Sequence, residues 1–179
     1  GLIFYEYSRT GLEDALQDNR IDIAVTGSTE FSPNVEWEIV NEYCYGAVMH
    51  QDHPLANNRS IKISDLSEES FVLIDRQDIV IKQICREYGF NPNVVTKAQY
   101  FSGLLTLVDC KVGISILPSS LQSLLPPTVR FIRIDDINCT LKQVVAWKKD
   151  NLNPCLPHFL EEMRKFLLHN QSDRQDEVL

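Results

Sequence analysis

The sequence predicts an α/β fold with a mostly parallel sheet, arranged in two lobes. Short apolar stretches that suit strands alternate along the chain with amphipathic stretches of helical period. Hydrophobic residues make up 44% of the 179 residues and charged residues 23%, the balance of a globular protein with a substantial core. Because strands and helices alternate, the pattern favours parallel α/β units.

The first predicted unit is strand–helix–strand. An aromatic-rich strand over residues 2–7 precedes a helix that a capping box of Thr10 and Glu13 should open. Asn19 should end this helix, because asparagine tolerates a left-handed turn, and a buried strand over residues 21–26 then ends at Gly27. The helix should bury Leu12, Ala15 and Leu16.

The rest of the chain continues the alternation. Strands are predicted over 40–49, 71–75, 94–98, 112–117, 131–134 and 143–147. Helices are predicted at Ser64 (a short one), over 77–88 ending at Gly89, over 102–110, from Pro118 to Leu125, and from Asn153-Pro154 to a polar tail that frays from Asn170. Their inward faces should carry Val80, Ile81, Ile84, Cys85 and Tyr88; Leu104, Leu105 and Val108; and Leu156, Phe159, Leu160, Met163, Phe166 and Leu167.

Composition and charge argue against several classes of protein. The net charge of -8, with no cluster of lysine and arginine, argues against direct nucleic-acid binding, which needs a basic face. No apolar run approaches the ~20 residues of a membrane helix, and the first residues lack the features of an export signal, so we expect a cytoplasmic protein. The five cysteines are odd in number and irregular in spacing, which favours free, mostly buried thiols.

Four stretches together point to a family. Residues 18–25 read Asp-Asn-Arg-Ile-Asp-Ile-Ala-Val, residues 53–56 read His-Pro-Leu-Ala, and residues 113–118 read Gly-Ile-Ser-Ile-Leu-Pro. Residues 144–150 add Trp147 and the paired Lys148-Lys149. In this order and spacing, across residues 2–168, they resemble the effector-binding domain of LysR-type bacterial transcription regulators.

The resemblance implies a type-2 periplasmic-binding-protein fold, in which two α/β lobes are joined by two crossing strands and the effector lies in the cleft. Lobe I would hold residues 1–52 and 142–179, lobe II residues 53–141, with crossings near His50 and Leu141. The chain aligns from the family's second strand, so the first strand and helix of lobe I and a winged helix-turn-helix that binds DNA are expected before Gly1. A homodimer or homotetramer is also implied.

Two positions depart from the family pattern, which has glycine where this chain has Asn19 and commonly where it has Lys111. Asparagine should accept the same backbone conformation. A lysine is less comfortable if that residue is left-handed.

Effector-binding candidates come from strand ends and helix starts, where ligands collect in such folds and unpaired N–H groups attract anions. Gly27, Ser28 and Thr29 match the lobe I wall of the cleft, although an ordinary polar loop explains them equally well. In lobe II, Arg76 could grip a carboxylate of the effector, although it could equally be a surface arginine. The other lobe II candidates are Asp75, Gln77, Tyr100, Phe101 and Ser102, and Phe101 could instead belong to the core.

No metal, cofactor or catalytic group is predicted. His50 and His53 are spaced H-x-x-H but lack further ligands, and His53 belongs to the family's turn. Cys155 and His158 lack an orienting third group, and Asp135-Asp136 follow a strand as a turn would.

The favoured function is therefore a sensor domain that binds a small effector, and not an enzyme. A solute-binding protein of a transporter is the alternative with the same fold, and it would need an export signal. An enzyme on this fold, such as an aromatic-acid dehydratase, would need a polar catalytic cluster, and none is visible in the sequence.

Overall fold

The computed structural model describes residues 1–5, 7, 9–27, 29–75 and 78–176, with the backbone alone at residues 9, 10, 78 and 168–176. The helices are α1 (Arg9–Gln17), α2 (Asp78–Glu87), α3 (Phe101–Asp109) and α4 (Leu156–Asp176), with 3-10 helices at Ile63–Leu66 and Ser119–Leu124. The strands are β1 (Ala24–Thr26), β2 (Val35–His50), β3 (Ser60–Ile61), β4 (Ser70–Ile74), β5 (Asn93–Ala98), β6 (Ser115–Pro118), β7 (Val129–Ile134) and β8 (Thr140–Lys148).

The chain divides into two compact units. Unit 1 holds residues 1–42 and 142–179, and unit 2 holds residues 43–141. Two strands, β2 and β8, pass from one unit to the other. No helix in the described part of the chain contains a stretch long and apolar enough to cross a membrane.

In unit 1, β8 lies between β1 and β2. β1 runs antiparallel to β8, with Ala24 opposite Ala146. Successive residues of β8 point to opposite faces, so the unit has two small cores. One contains Leu16, Ala24, Val35 and Ala146. The other contains Val40, Val145, Trp147, Leu156 and Leu160.

In unit 2 the strands follow the order β5, β4, β6, β2, β7, β3. β4 pairs with β5, and β3 with β7, in parallel, whereas β2 runs antiparallel to β6 and β7. β4 is joined to the start of β6 because Val72 N donates to Ile114 O and Ile114 N donates to Ser70 O, each at 2.8 Å. The main core contains fully buried Phe71, Leu66 and Ile63.

The predicted α/β class is confirmed, as are most of its helices. The prediction of a mostly parallel sheet is wrong, because β1 runs antiparallel to β8, and β2 runs antiparallel to both β6 and β7. Ala15 and Leu16 of α1 are fully buried. Leu104 and Val108 of α3 expose at most 1% of their surface. The left-handed turn predicted at Asn19 is confirmed, with φ at 54°, and φ is also positive at Lys111 (62°) and at Gly89 (88°).

The first predicted strand is wrong. Residues 2–5 are not in a strand, and Leu2, Ile3 and Phe4 expose 71%, 77% and 88% of their surface. A strand needs a neighbouring strand for its backbone hydrogen bonds, and these residues have none among the described residues. The following strand is shorter than predicted and antiparallel to its neighbour, so no parallel strand–helix–strand unit forms there.

Thr10 is not the N-cap residue that the predicted capping box requires, because α1 already begins at Arg9. The Glu13 carboxylate accepts hydrogen bonds from the backbone N–H of Ser32, at 2.8 Å, and from its hydroxyl. These bonds hold the pKa of Glu13 below its ordinary value, the hydroxyl contributing most. Glu13 therefore connects α1 to the loop before β2.

Smaller errors concern helix ends and edges. Lys62, not Ser64, precedes the first 3-10 helix, and Pro118 lies just before the second rather than inside it. Helix α4 continues to Asp176 where a frayed tail was expected, because no glycine or proline interrupts residues 168–176. Val80 and Phe166 are exposed, since each lies at the margin of its helix's apolar stripe.

Candidate functional site

The ends of β4 and β5 form the best-defined candidate site, which lies within unit 2. Asp75 follows β4, and its backbone N–H donates to the carbonyl of Ala98, the last residue of β5, at 2.9 Å. The carboxyl ends of these two parallel strands therefore lie side by side. Tyr100, Phe101 and Ser102 follow two residues later at the start of α3. The structure thus brings Asp75 and the Tyr100–Ser102 group to one edge of the sheet.

The start of α3 supplies hydrogen-bond donors. Tyr100 is the N-cap residue, with an extended backbone (φ -128°), and no side chain caps the helix. The first N–H groups of a helix have no partner inside the helix, so a polar or anionic ligand can accept from them. The Tyr100 side chain is 68% exposed, and Ser102 is also exposed. Phe101 packs against the apolar cluster formed by α3, β2 and β4, which leaves it a core role.

Lys97 is a cation that the described residues place at this edge. The Lys97 ammonium lies 3.5 Å from the Asp75 carboxylate, with both side chains substantially exposed. Ion pairs between exposed side chains such as these contribute little to stability. Lys97 is not among the site residues that the sequence predicts. The signal was available, because alternation along β5 puts Lys97 on the face opposite buried Ala98.

The remaining candidates are less well defined. Gly27 and Thr29 are exposed in unit 1, in the turn after β1, where no described feature distinguishes them from an ordinary loop. Ser28, Arg76 and Gln77 lie outside the described residues.

The stretch from Lys111 to Pro118 has a structural explanation. Lys111 is the left-handed residue that turns the chain after α3, which is why glycine suits this position. Gly113 lets two backbones approach, because a Cβ there would lie 2.5 Å from the carbonyl oxygen of Ser70. The stretch therefore connects α3 to the sheet.

His50 and His53 both stabilise turns. His50 Nδ1 accepts from Asp52 N at 3.1 Å, and His53 Nδ1 accepts from Leu55 N at 3.2 Å. With Nδ1 accepting, the His53 ring carries its proton on Nε2, which lies 3.2 Å from the Glu69 carboxylate. The His-Pro-Leu-Ala stretch is thus a hydrogen-bonded turn. Within the described residues, no group of three or more histidine, cysteine or acidic side chains could hold a metal ion.

Asp135 and Asp136 also have structural partners. Asp136 accepts a hydrogen bond from Ile63 N at 2.9 Å, and Asp135 pairs with Arg133 at 3.0 Å. Cys155 and His158 are exposed near the start of α4.

The expectation that the cysteines are mostly buried is wrong. Cys44, Cys110 and Cys155 are exposed, Cys139 is half-buried and Cys85 is buried. Cys44 lies in β2 at a position where alternation turns the side chain outward. All five are free thiols, as predicted.

Comparison with known proteins decides the family. The family model for the LysR substrate binding domain matches residues 2–167. The chain belongs to the LysR substrate-binding domain family.

Two relatives show the extent of the match. The HTH-type transcriptional regulator AlsR of Bacillus subtilis (strain 168) is 27% identical over 162 residues, which are 87% of this chain and 53% of AlsR. The transcriptional dual regulator GltC of the same organism is 30% identical over 115 residues, 61% of this chain and 38% of GltC. This LysR-family chain therefore spans about half the length of the curated relatives it matches or less. Both relatives are transcription regulators, and neither is a solute-binding protein of a transporter.

Solved structures confirm the fold. The effector binding domain of BenM, determined with its effector benzoate, superposes with a TM-score of 0.81 at 19% identity, covering 93% of this chain and 78% of that one. Full-length CbnR, determined in complex with its target DNA, superposes with a TM-score of 0.80 at 17% identity, covering 90% of this chain and 56% of that one. At these identities the likeness shows that this LysR-family chain has the type-2 periplasmic-binding-protein-like fold of those domains.

Proposed function

We propose that this chain is the effector-sensing part of a LysR-type bacterial DNA-binding transcription regulator, and that its effector is a small carboxylate. The observation that carries the choice of ligand is the start of α3. It presents uncapped backbone N–H groups beside the exposed Tyr100 and Ser102, at the carboxyl ends of β4 and β5.

The chemistry of this edge favours a planar anion. Backbone N–H groups at a helix start and the positive end of the helix dipole both stabilise negative charge. The Lys97 ammonium, 3.5 Å from the Asp75 carboxylate, adds positive charge to this edge. The Tyr100 ring offers an apolar surface with a hydroxyl at its tip, which suits an aromatic or short aliphatic body. The effector of BenM is benzoate, so aromatic carboxylates are the first ligands to test.

Other parts of the proposal rest on the family. We propose that units 1 and 2 correspond to the two lobes, and that Gly27, Ser28 and Thr29 on unit 1 also contact the effector. We also propose that DNA is bound by a separate winged helix-turn-helix of the whole regulator. The regulator would be a cytoplasmic homodimer or homotetramer. An effector that prefers one conformation would shift the population of DNA-binding states by its difference in affinity. No catalytic step is part of this function.

Calorimetric titration tests the choice of ligand. The chain is titrated with benzoate and other small carboxylates, and with the matched primary amides. We expect saturable binding of at least one carboxylate and at least tenfold weaker binding of its amide. Equal binding of acid and amide would contradict the anionic effector.

Arg76, proposed to grip the carboxylate, has its own test. Arg76→Ala should weaken binding of the carboxylate at least tenfold, whereas Arg59→Ala, which removes another arginine of unit 2, should leave it unchanged. Full affinity in Arg76→Ala would exclude the role of Arg76.

A further inference from the structure

We propose that unit 2 has a second ligand site, a pocket that binds a small organic cation with an apolar body. Six residues line it: Ile84, Glu87 and Tyr88 from the last turn of α2 and its end, and Ile137, Asn138 and Cys139 from the segment between β7 and β8. These six residues are called the amine pocket below.

The size and walls of the amine pocket suit a compact molecule. Its volume is about 280 Å³, just below the roughly 300 Å³ at which the range for small-molecule sites begins. Ile84 is 97% buried, and Ile137, Tyr88 and Cys139 pack against the main core of unit 2, whereas Glu87 and Asn138 add polar groups, so the lining is part apolar and part polar. A single aromatic ring with a short side chain is therefore the expected size.

The charge of the amine pocket selects a cation. Glu87 is the one charged side chain among the six lining residues, and its described partner is the neutral amide of Gln83, at 3.0 Å. The end of α2 adds the negative pole of the helix dipole, which favours positive charge. The basic residue of this last turn, Arg86, donates to Asn91. An ammonium group would therefore meet one carboxylate and no competing cation within the lining.

The negative charge of Glu87 also affects the pKa of the Cys139 thiol. Burial raises the pKa of Cys139, and the negative charge of Glu87 raises it further. The thiol is therefore neutral at pH 7 and contributes an apolar, polarisable surface rather than a second anion.

Hydrogen bonds hold the amine pocket in shape. The Tyr88 hydroxyl donates to the backbone carbonyl of Asp136, next to the segment that forms the far wall. The Asp136 carboxylate accepts from Ile63 N at 2.9 Å, and Phe90 N donates to Cys85 O at 3.1 Å, which ends α2. Since both walls are fixed, little ordering is needed when a ligand enters.

The amine pocket is separate from the proposed effector site. The effector site lies where β4 ends, and α2 starts four residues later; the amine pocket lies where α2 ends. A helix of ten residues is about 15 Å long, so α2 separates the two. Their preferences are also opposite in sign, and the second site does not rest on the first.

The test uses benzylamine, which is cationic at pH 7, with benzyl alcohol and benzoate as neutral and anionic counterparts. Calorimetry gives the Kd of each for the whole chain. A neutral alkylating reagent followed by peptide mapping then gives the rate at which Cys139 is modified with and without benzylamine. The variant is Glu87→Gln, and Glu68→Gln is the matched control because Glu68 is another exposed glutamate of unit 2.

We expect saturable binding of benzylamine that slows modification of Cys139 but not of Cys44 or Cys155. Its Kd should rise at least fivefold in Glu87→Gln and stay unchanged in Glu68→Gln, and benzoate should not protect Cys139. Absence of saturable benzylamine binding would overturn the proposal. Equal affinity in Glu87→Gln and the unmodified chain, or unchanged modification of Cys139, would also overturn it.

Discussion

The Lys111 ammonium donates to the Asp52 carboxylate at 2.7 Å, while the Lys111 backbone has the left-handed conformation that glycine prefers. The hydrogen bond and the positive charge hold the pKa of Asp52 below its ordinary value. The pair links the turn after α3 to the turn after β2, and it explains how a lysine can replace a glycine at this position. Because both side chains are exposed, salt should screen the attraction.

Lys111→Gly should therefore stabilise the chain despite losing the ion pair. A left-handed conformation destabilises a non-glycine residue by about 1–2 kcal/mol. Glycine removes this strain, but its greater freedom in the unfolded chain offsets roughly 0.5–1 kcal/mol of the gain. We expect a gain of about 0.5–1 kcal/mol in the free energy of unfolding in 0.5 M salt, measured by denaturant titration. Asp52→Asn is the control for the ion pair and should destabilise the chain only at low salt. A less stable Lys111→Gly at high salt would contradict this account.

Gly113→Ala and Gly103→Ala should change stability in opposite directions. A Cβ at Gly113 would lie 2.5 Å from the backbone oxygen of Ser70, so β4 and the start of β6 must separate, which costs about 1–3 kcal/mol. A Cβ at Gly103, inside α3, would meet Ala98 at an ordinary 3.6 Å, and alanine favours a helix by roughly 0.5–1 kcal/mol. Thermal melting measures both. A stable Gly113→Ala would show that the two backbones are not in close contact.

These glycines and Lys111 also show what the sequence could predict. The family pattern located the left-handed turn because only some residues accept positive φ, and periodicity located the helices because a helix buries one face. The sequence could not show that Glu13 would bond to Ser32, since the two are 19 residues apart and meet only in the folded chain. Residues 2–5 were mistaken for a strand because residue type shows strand preference but not whether a neighbouring strand exists.

The candidate site was predictable only in part. Tyr100 and Ser102 were placed at a helix start by local pattern, and the structure has them there. That Asp75 would lie beside them depends on the pairing of β4 with β5, which local pattern does not encode. The amine pocket was missed altogether, because it joins residues about 50 positions apart that have no shared motif.

The cysteines should differ sharply in reactivity. Burial raises the pKa of the Cys85 thiol to about 11, so it has little thiolate at pH 8 and no access to reagent. In the native chain, an alkylating reagent at pH 8 should modify Cys44, Cys110 and Cys155 and leave Cys85 unmodified, as read by mass spectrometry. In denaturant, all five should react. Fast native modification of Cys85 would show that the main core of unit 2 opens readily.

Glu13 should make the stability of the folded chain depend on pH. Its bonds to Ser32 lower its pKa in the folded chain below the ordinary 4.5. A group with a lowered folded pKa stabilises the fold above its unfolded pKa, and this contribution is lost as the pH falls through the folded value. Between pH 7 and pH 3 the unmodified chain should therefore lose more stability than Glu13→Gln does. Parallel stability–pH curves for the two proteins would show that the Ser32 bonds do not distinguish the charged carboxylate.

The most direct test of the proposed effector site is a titration followed by the backbone amide NMR signals of the isotopically labelled chain. With benzoate, or with the carboxylate that calorimetry identifies as tightest, we predict saturable shifts at the amides of Ser102 and Gly103 in the first turn of α3. The matched amide ligand should leave these signals in place. Saturable binding of the carboxylate with no change in these amides would contradict the central claim, because the anion would then be held elsewhere.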